Sequence, residues 1–194
     1  MLRTLVAQLN ISANFGAEIQ GRLKKFFRKI GRFILKLVLA FVLTSLAMVI
    51  LYRFVPVPIT PLMVIRCVEQ LQDDEPLKLR KSWVGKDQLP NHLHLAVVCA
   101  EDQNFLNHHG FDFEAIEKAM EHNRKSKRKR GASTISQQTA KNLFLWPCRS
   151  WLRKGLEAWF TILIELTWPK ERIITVYLNI IELGPGVYGA EAAT

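Results

Sequence analysis

The stretch from Leu37 to Tyr52 contains no charged residue and only Thr44 and Ser45 as polar ones of any strength. With Phe33–Leu35 added, and the Lys36 ammonium reaching outward along its own stem, the apolar run approaches the roughly 20 residues that cross a bilayer. Arg22, Lys24, Lys25, Arg28, Lys29 and Arg32 precede it. A cleaved leader would show a short apolar core and a small-residue cleavage site, and no convincing one follows. A helix lying on a membrane surface would show a polar face, which this run lacks. The reading is a single-span transmembrane anchor over 33–57. Clustered Lys and Arg stay inside, so the basic segment 1–32 is placed in the cytoplasm and the remainder outside the membrane.

The chain has 194 residues, room for one domain behind such an anchor. A hydrophobic content of 49% supplies a core, and the net charge of +10 asks for an anionic partner. Nucleic acid, an acidic membrane surface and a phosphorylated substrate all qualify by charge alone. The anchor removes nucleic acid, which an exported domain does not meet. Cys67, Cys99 and Cys148 show no C-x-x-C spacing, so zinc is not expected. Cys99 lies inside an apolar helical pattern and reads as a small buried hydrophobe.

Beyond the anchor the pattern is mainly α. Pro56, Pro58 and Pro61 stop the membrane helix, and 58–90 reads as a linker that opens the extracytoplasmic region. Within it, "VIRCVEQLQ" suits a short helix and 73–90 a polar loop. From 91 to 194 the helices follow closely. Asn91 is expected to cap one whose Leu95, Val98, Asp102 and Phe105 share a stripe, broken at Gly110. Asp112 caps a second, carrying Phe113, Ile116 and Met120. Thr134 and Gln137 have capping-box spacing and open a helix to about Leu145. Pro147 ends that helix, and Ser150 caps a long one to Trp168. Pro169 suits the first turn of a last helix running to Gly184. Strand signals are weak.

Four segments carry candidate chemistry. In "AEDQNFLNHHG" (100–110), Glu101 sits one turn after Val97 and Val98 and one turn before Phe105, at the margin of an apolar stripe. Desolvation there would raise its pKa and suit it to acid–base work, whereas a solvated helix flank would leave it ordinary. Asp102 is expected to bond nearby loop amides, and the pair His108 and His109 to be structural rather than metal ligands.

In "GASTISQQTAKN" (131–142), Ser133 and Thr134 put hydroxyls beside the exposed N–H groups of a helix start, which attracts anions. Gln138, Lys141 and Asn142 follow on one face, and Arg149 can bring a guanidinium to the same anion. Glu157 lies four residues from Arg153 and three from Lys154, spacing that suits a surface ion pair or a second acid. The run Arg124–Arg130 is basic except at Ser126. Behind an anchor it faces anionic lipid or a pyrophosphate, or is simply a solvated loop.

Together these segments resemble the peptidoglycan glycosyltransferase family, the module of penicillin-binding proteins and of monofunctional transglycosylases. "EDQNFLNHHG" matches E-D-x-x-F-x-x-H-x-G, and "GASTISQQTAKN" matches G-[GA]-S-T-I-[ST]-Q-Q-x-x-K-N. "RKGLE" (153–157) matches R-K-x-x-E, and "ERIITVYLNIIELGPGVYGAEAA" matches the motif around Y-L-N-x-x-x-x-G-x-x-x-x-G. No transpeptidase domain follows, so the monofunctional type is the closer likeness. The resemblance implies a lysozyme-like, mostly helical fold with a membrane-associated jaw, in the bacterial inner membrane with its domain in the periplasm.

The implied substrate is lipid II, polymerised into a growing β-1,4 glycan chain. Glu101 would be the general base and Glu157 the second essential acid. Lys141 and Arg149 would stabilise the departing pyrophosphate, with a divalent cation, Mg2+ or Mn2+, as the expected cofactor. Asp102, Ser133, Thr134, Gln137, Gln138 and Asn142 would line the substrate site. Other wall-synthesis and division proteins are the expected protein partners.

Family members continue beyond the motif that ends here at "GAEAA", with a further helical portion and an arginine-containing motif. The glycosyltransferase domain at 91–194 is therefore expected to be incomplete at its C-terminus. Two other readings remain open: a lysozyme-like lytic glycosidase, and an inactive anchored fragment that acts only by binding.

Overall fold

The computed structural model describes the backbone of residues 2–194 and the side chains of residues 22–194. The chain divides into two units, 1–46 and 47–194. The first is helical: it holds most of α1 (Leu2–Phe54). Among the described residues, one helix is long and apolar enough to cross a membrane, Arg22–Phe54, with a mean hydropathy of 2.6 over its most apolar window. The six basic residues from Arg22 to Arg32 are exposed along it.

The second unit begins with the last turns of α1 and continues through α2 (Pro61–Gln72), β1 (Arg80–Lys81), a 3-10 turn (Lys86–Gln88) and α3 (Asn91–Glu101). Then come α4 (Phe113–Lys125), α5 (Ile135–Phe144), α6 (Trp151–Thr167), α7 (Lys170–Ile180), β2 (Glu182–Gly184), β3 (Val187–Tyr188) and α8 (Ala190–Ala193). The mainly α reading holds.

The core forms around α7, where every residue from Ile173 to Ile180 is buried. α5 and α6 pack on it with Ile135, Leu143, Phe160 and Ile164, and the Phe144 and Phe160 rings stack with centroids 4.3 Å apart. The end of α1 is tied into this unit by polar bonds as well as packing. Trp168 Nε1 donates to the Val49 carbonyl at 2.9 Å, and Arg172 Nη2 donates to the carbonyls of Tyr52 and Val55, each at 2.6 Å. The Tyr52 and Val55 carbonyls belong to the last turn and exit of a helix, which has no intrahelical partners to offer them.

The stretch 58–90 contains more structure than a linker would. Thr60 caps α2 through Met63 N, and Met63, Val84 and Leu89 are buried in the core. Asn179 holds the segment before the 3-10 turn, accepting from Val84 N at 2.7 Å and donating to Val84 O at 3.0 Å. A three-stranded sheet in the order β1-β3-β2 is also present, parallel between β1 and β3 and antiparallel between β2 and β3. Its strands are two or three residues long, too short for an alternating pattern to register in the sequence.

Four local expectations are corrected. Asn91 is the first residue of α3, not its cap; Pro90 takes the cap position, without a side-chain bond. α3 ends at Glu101 rather than near Gly110, because Asp102 is extended at φ −159° with its side chain bonded inward. α7 ends at Ile180, and the residues up to Gly184 form β2 instead. Cys99 is exposed, not buried.

Candidate active site

α5 is the element on which the site is built. Thr134 Oγ1 accepts from Gln137 N at 3.2 Å and Gln137 Oε1 accepts from Thr134 N at 3.1 Å, so the expected capping box forms in full. Both side chains are buried. Thr134 Oγ1 also donates to Gly110 O at 2.7 Å, which fastens the start of α5 to the turn that follows α3.

That turn is held by Asp102. Its buried carboxylate accepts from Ile135 N at 2.9 Å and from His108 Nε2 at 2.9 and 3.0 Å. His108 Nδ1 in turn accepts from Gly110 N at 3.1 Å, which places the imidazole proton on Nε2. Gly110 sits at φ +89°, and a Cβ there would lie 2.8 Å from Thr161 Cγ2 on α6. Lys170 Nζ donates to His108 O at 2.7 Å and to Glu165 Oε1 at 2.8 Å, and Ser136 Oγ donates to the same Glu165 oxygen. The expectation that His108 is structural agrees with this arrangement, whereas Asp102 bonds not a nearby loop amide but the first amide of α5, 33 residues along the chain. His109 is exposed.

Since Asp102 turns inward, its neighbour Glu101 turns out. Glu101 is exposed, so it does not occupy the apolar margin that the stripe suggested. Gln138 Nε2 donates to Glu101 Oε2 at 2.8 Å, and Gln138 Oε1 takes a long 3.5 Å contact from the Tyr177 hydroxyl. This fixes which end of the Gln138 amide meets the carboxylate. Burial, aided by the Glu101 charge, holds the Tyr177 phenol far above its usual range, so it remains a donor.

Two clefts meet at Gln138. The first, of about 610 Å³, is lined by Glu101, Asp102, Ser133, Thr134 and Gln138 among others. Its charged lining is mixed, with Lys118 and Arg130 beside Asp112 and Glu114, and Arg130 is its one contact with the basic run; the backbone there is stitched by Arg130 N donating to Asn123 Oδ1 at 2.7 Å. The second cleft, of about 410 Å³, is lined by Gln138, Lys141, Asn142 and Arg153, together with Arg66 of α2 and Glu182 of β2.

The structure thus brings Glu101, Asp102, Ser133, Thr134 and Gln138 to one cleft and Gln138, Lys141 and Asn142 to the other. Gln137 is committed to the cap. Arg149 is exposed in the loop before α6, and its neighbours Pro147 and Cys148 line the second cleft while it does not.

Glu157 is 3% exposed, with Arg153 Nη1 donating to Oε2 at 3.0 Å and Lys154 Nζ donating to Oε1. It is therefore no surface ion pair. Its carboxylate holds Arg153 in the wall of the second cleft. Sequence reasoning passed over Arg66 and Tyr177. Tyr177 lies within the quoted Y-L-N motif and was within reach; Arg66 carries no motif at all.

Among the described residues, no cluster of three or more His, Cys, Asp or Glu side chains is placed to hold a metal ion.

Comparison with known proteins adds to this geometry. The transglycosylase family profile matches residues 69–194. The biosynthetic peptidoglycan transglycosylase of Bdellovibrio bacteriovorus is 60% identical over 168 residues, covering 87% of this chain and 67% of that one. The protein of the same name from Bacteroides thetaiotaomicron is 56% identical over 165 residues, 85% of this chain and 66% of that one. That of Pseudomonas aeruginosa is 52% identical over 166 residues, 86% and 72% respectively. The chain thus spans about two thirds of the length of these relatives.

Proposed function

This chain belongs to the transglycosylase family, and on that premise we propose that it is a peptidoglycan glycosyltransferase that polymerises lipid II into β-1,4 glycan chains. The observation that carries the reading is the exposed Glu101 carboxylate in the first cleft, held at 2.8 Å by the amide of Gln138, the residue that lines both clefts.

On this reading the acceptor sugar enters the first cleft with its 4-hydroxyl against Glu101. The hydroxyl oxygen attacks the anomeric carbon of the growing chain as Glu101 takes its proton. The bond from that carbon to the pyrophosphate oxygen breaks, and its electron pair leaves with undecaprenyl pyrophosphate, inverting the anomeric centre. The second cleft takes the departing charge: Lys141 and Arg153 line it, and Arg149 follows two of its wall residues in the chain. Glu157 serves by holding Arg153. Thr134 and Gln137 set the start of α5, while Ser133 and Asn142 offer polar groups to the sugars and phosphates. A divalent cation, Mg2+ or Mn2+, would travel on the pyrophosphate oxygens and offset their charge.

The apolar helix Arg22–Phe54 supports membrane anchoring, which suits a lipid-linked substrate. The basic residues before its apolar part support a cytoplasmic N-terminus and a periplasmic domain, with the anchor in the inner membrane.

The test is incubation of this chain in detergent and magnesium with labelled lipid II, beside preformed peptidoglycan. Glycan chains together with undecaprenyl pyrophosphate are expected. Untouched lipid II with soluble fragments released from the preformed wall would overturn the reading in favour of a lytic glycosidase.

A further inference from the structure

The second cleft holds a cation that none of the sequence motifs contains. Arg66, on α2, lines it with Lys141 and Arg153. The Arg66 side chain is 44% exposed and is shared between two carboxylates: Glu69, one turn along α2, at 2.7 Å, and Glu182, on β2, at 3.5 Å. The two pairs differ in kind. Arg66–Glu69 is short and lies within one helix. Arg66–Glu182 is long for a charge-assisted contact and joins separate elements at the cleft, where Glu182 is itself a lining residue. Glu182 has a second partner, the Tyr188 hydroxyl at 3.3 Å.

A long, partly exposed ion pair contributes little and gives way readily to a stronger anion. A diphosphate is such an anion, and a guanidinium matches its oxygens with a fork of parallel donors. Glu182, by contrast, is a negative charge in the wall of a cleft whose other charged lining groups are cationic.

We propose that Arg66 is a further anion-binding residue of this site, which grips the diphosphate of the lipid-linked substrate, and that Glu182 competes with that diphosphate for the guanidinium. The inference rests on the reading of the second cleft as the pyrophosphate site. As substrate enters, Arg66 exchanges Glu182 for a phosphate oxygen and keeps Glu69, so that α2 becomes a wall of the substrate site.

This predicts effects of opposite sign from the two halves of one ion pair. Binding of farnesyl diphosphate to the full chain in detergent would be measured by calorimetry at fixed salt, with thermal melts of each variant. Arg66→Ala is expected to weaken binding about tenfold, and Glu182→Gln to tighten it about threefold. Arg66→Lys, which keeps the charge without the fork, falls between parent and Arg66→Ala. Loss of binding in both Arg66→Ala and Glu182→Gln, with lowered melting temperatures, would show a structural tie and overturn the proposal. Lys141→Ala separates the two levels of the argument. If it weakens binding while Arg66→Ala does not, the proposal fails and the cleft assignment survives. If the parent does not bind, or Lys141→Ala binds like the parent, both fail.

Discussion

The Gln138 side-chain amide joins the carboxylate of Glu101 to the hydroxyl of Tyr177, donating to the first at 2.8 Å and meeting the second at 3.5 Å. One side chain on α5 therefore orients the proposed base and stands between the two clefts.

Gln138→Ala removes this orientation without touching the buried cap. Its kcat with lipid II is expected to fall about tenfold, the order expected when a reacting group is no longer held in place. The melting temperature should move little, because Gln138 is only partly buried. Steady-state kinetics and a thermal melt on the same preparation check both halves.

The pair Asp102 and His108 is the buried counterpart. His108→Ala leaves the Asp102 carboxylate with Ile135 N alone, and opens space in a packed turn. A loss of about 3 kcal/mol in unfolding free energy is expected, read from urea denaturation midpoints. Activity should fall in parallel, since the turn begins at the residue after Glu101.

Gly110 is constrained twice over, by its φ of +89° and by the 2.8 Å approach of Thr161 Cγ2 to where a Cβ would stand. Gly110→Ala is expected to cost at least about 2 kcal/mol. The same denaturation series measures it; an unchanged midpoint would contradict the close approach.

Asp112 caps α4 through Ala115 N at 2.8 Å, and that bond holds its carboxyl below the ordinary aspartate range. Because the folded state favours the ionised form, the contribution is present above the ordinary aspartate pKa, about 3.9, and is lost as pH falls through the lowered folded value. Asp112→Ala should cost about 1 kcal/mol at pH 7. Its difference from the parent should narrow below about pH 3.9, as followed by denaturation at stepped pH.

How much of this was legible in the sequence depends on the distance over which each choice is made. The Thr134–Gln137 cap and the Ser150 and Asp112 caps are decided within three residues, and all three form as read. The end of α3 is decided by Asp102 bonding Ile135 N, a partner 33 residues away. The apolar stripe through Phe105 gave no hint of it, and the exposure of Glu101 follows from the same turn.

The burial of Glu157 likewise depends on what packs over α6, and spacing to Arg153 and Lys154 alone could not distinguish it from a surface pair. The motifs collect residues from four separate segments, and several of those residues line the two clefts. Arg66 lay outside them: its place in the cleft arises from α2 packing beside α5, which no local pattern in "VIRCVEQLQ" announces.

The central claim is that Glu101 is the base, and the most direct measurement is lipid II polymerisation by this chain beside its Glu101→Gln variant, with helical content confirmed for both. The account predicts glycan chains from the parent and a rate lower by about 10²–10⁴ in the variant. Polymerisation by Glu101→Gln at the parent's rate would contradict it.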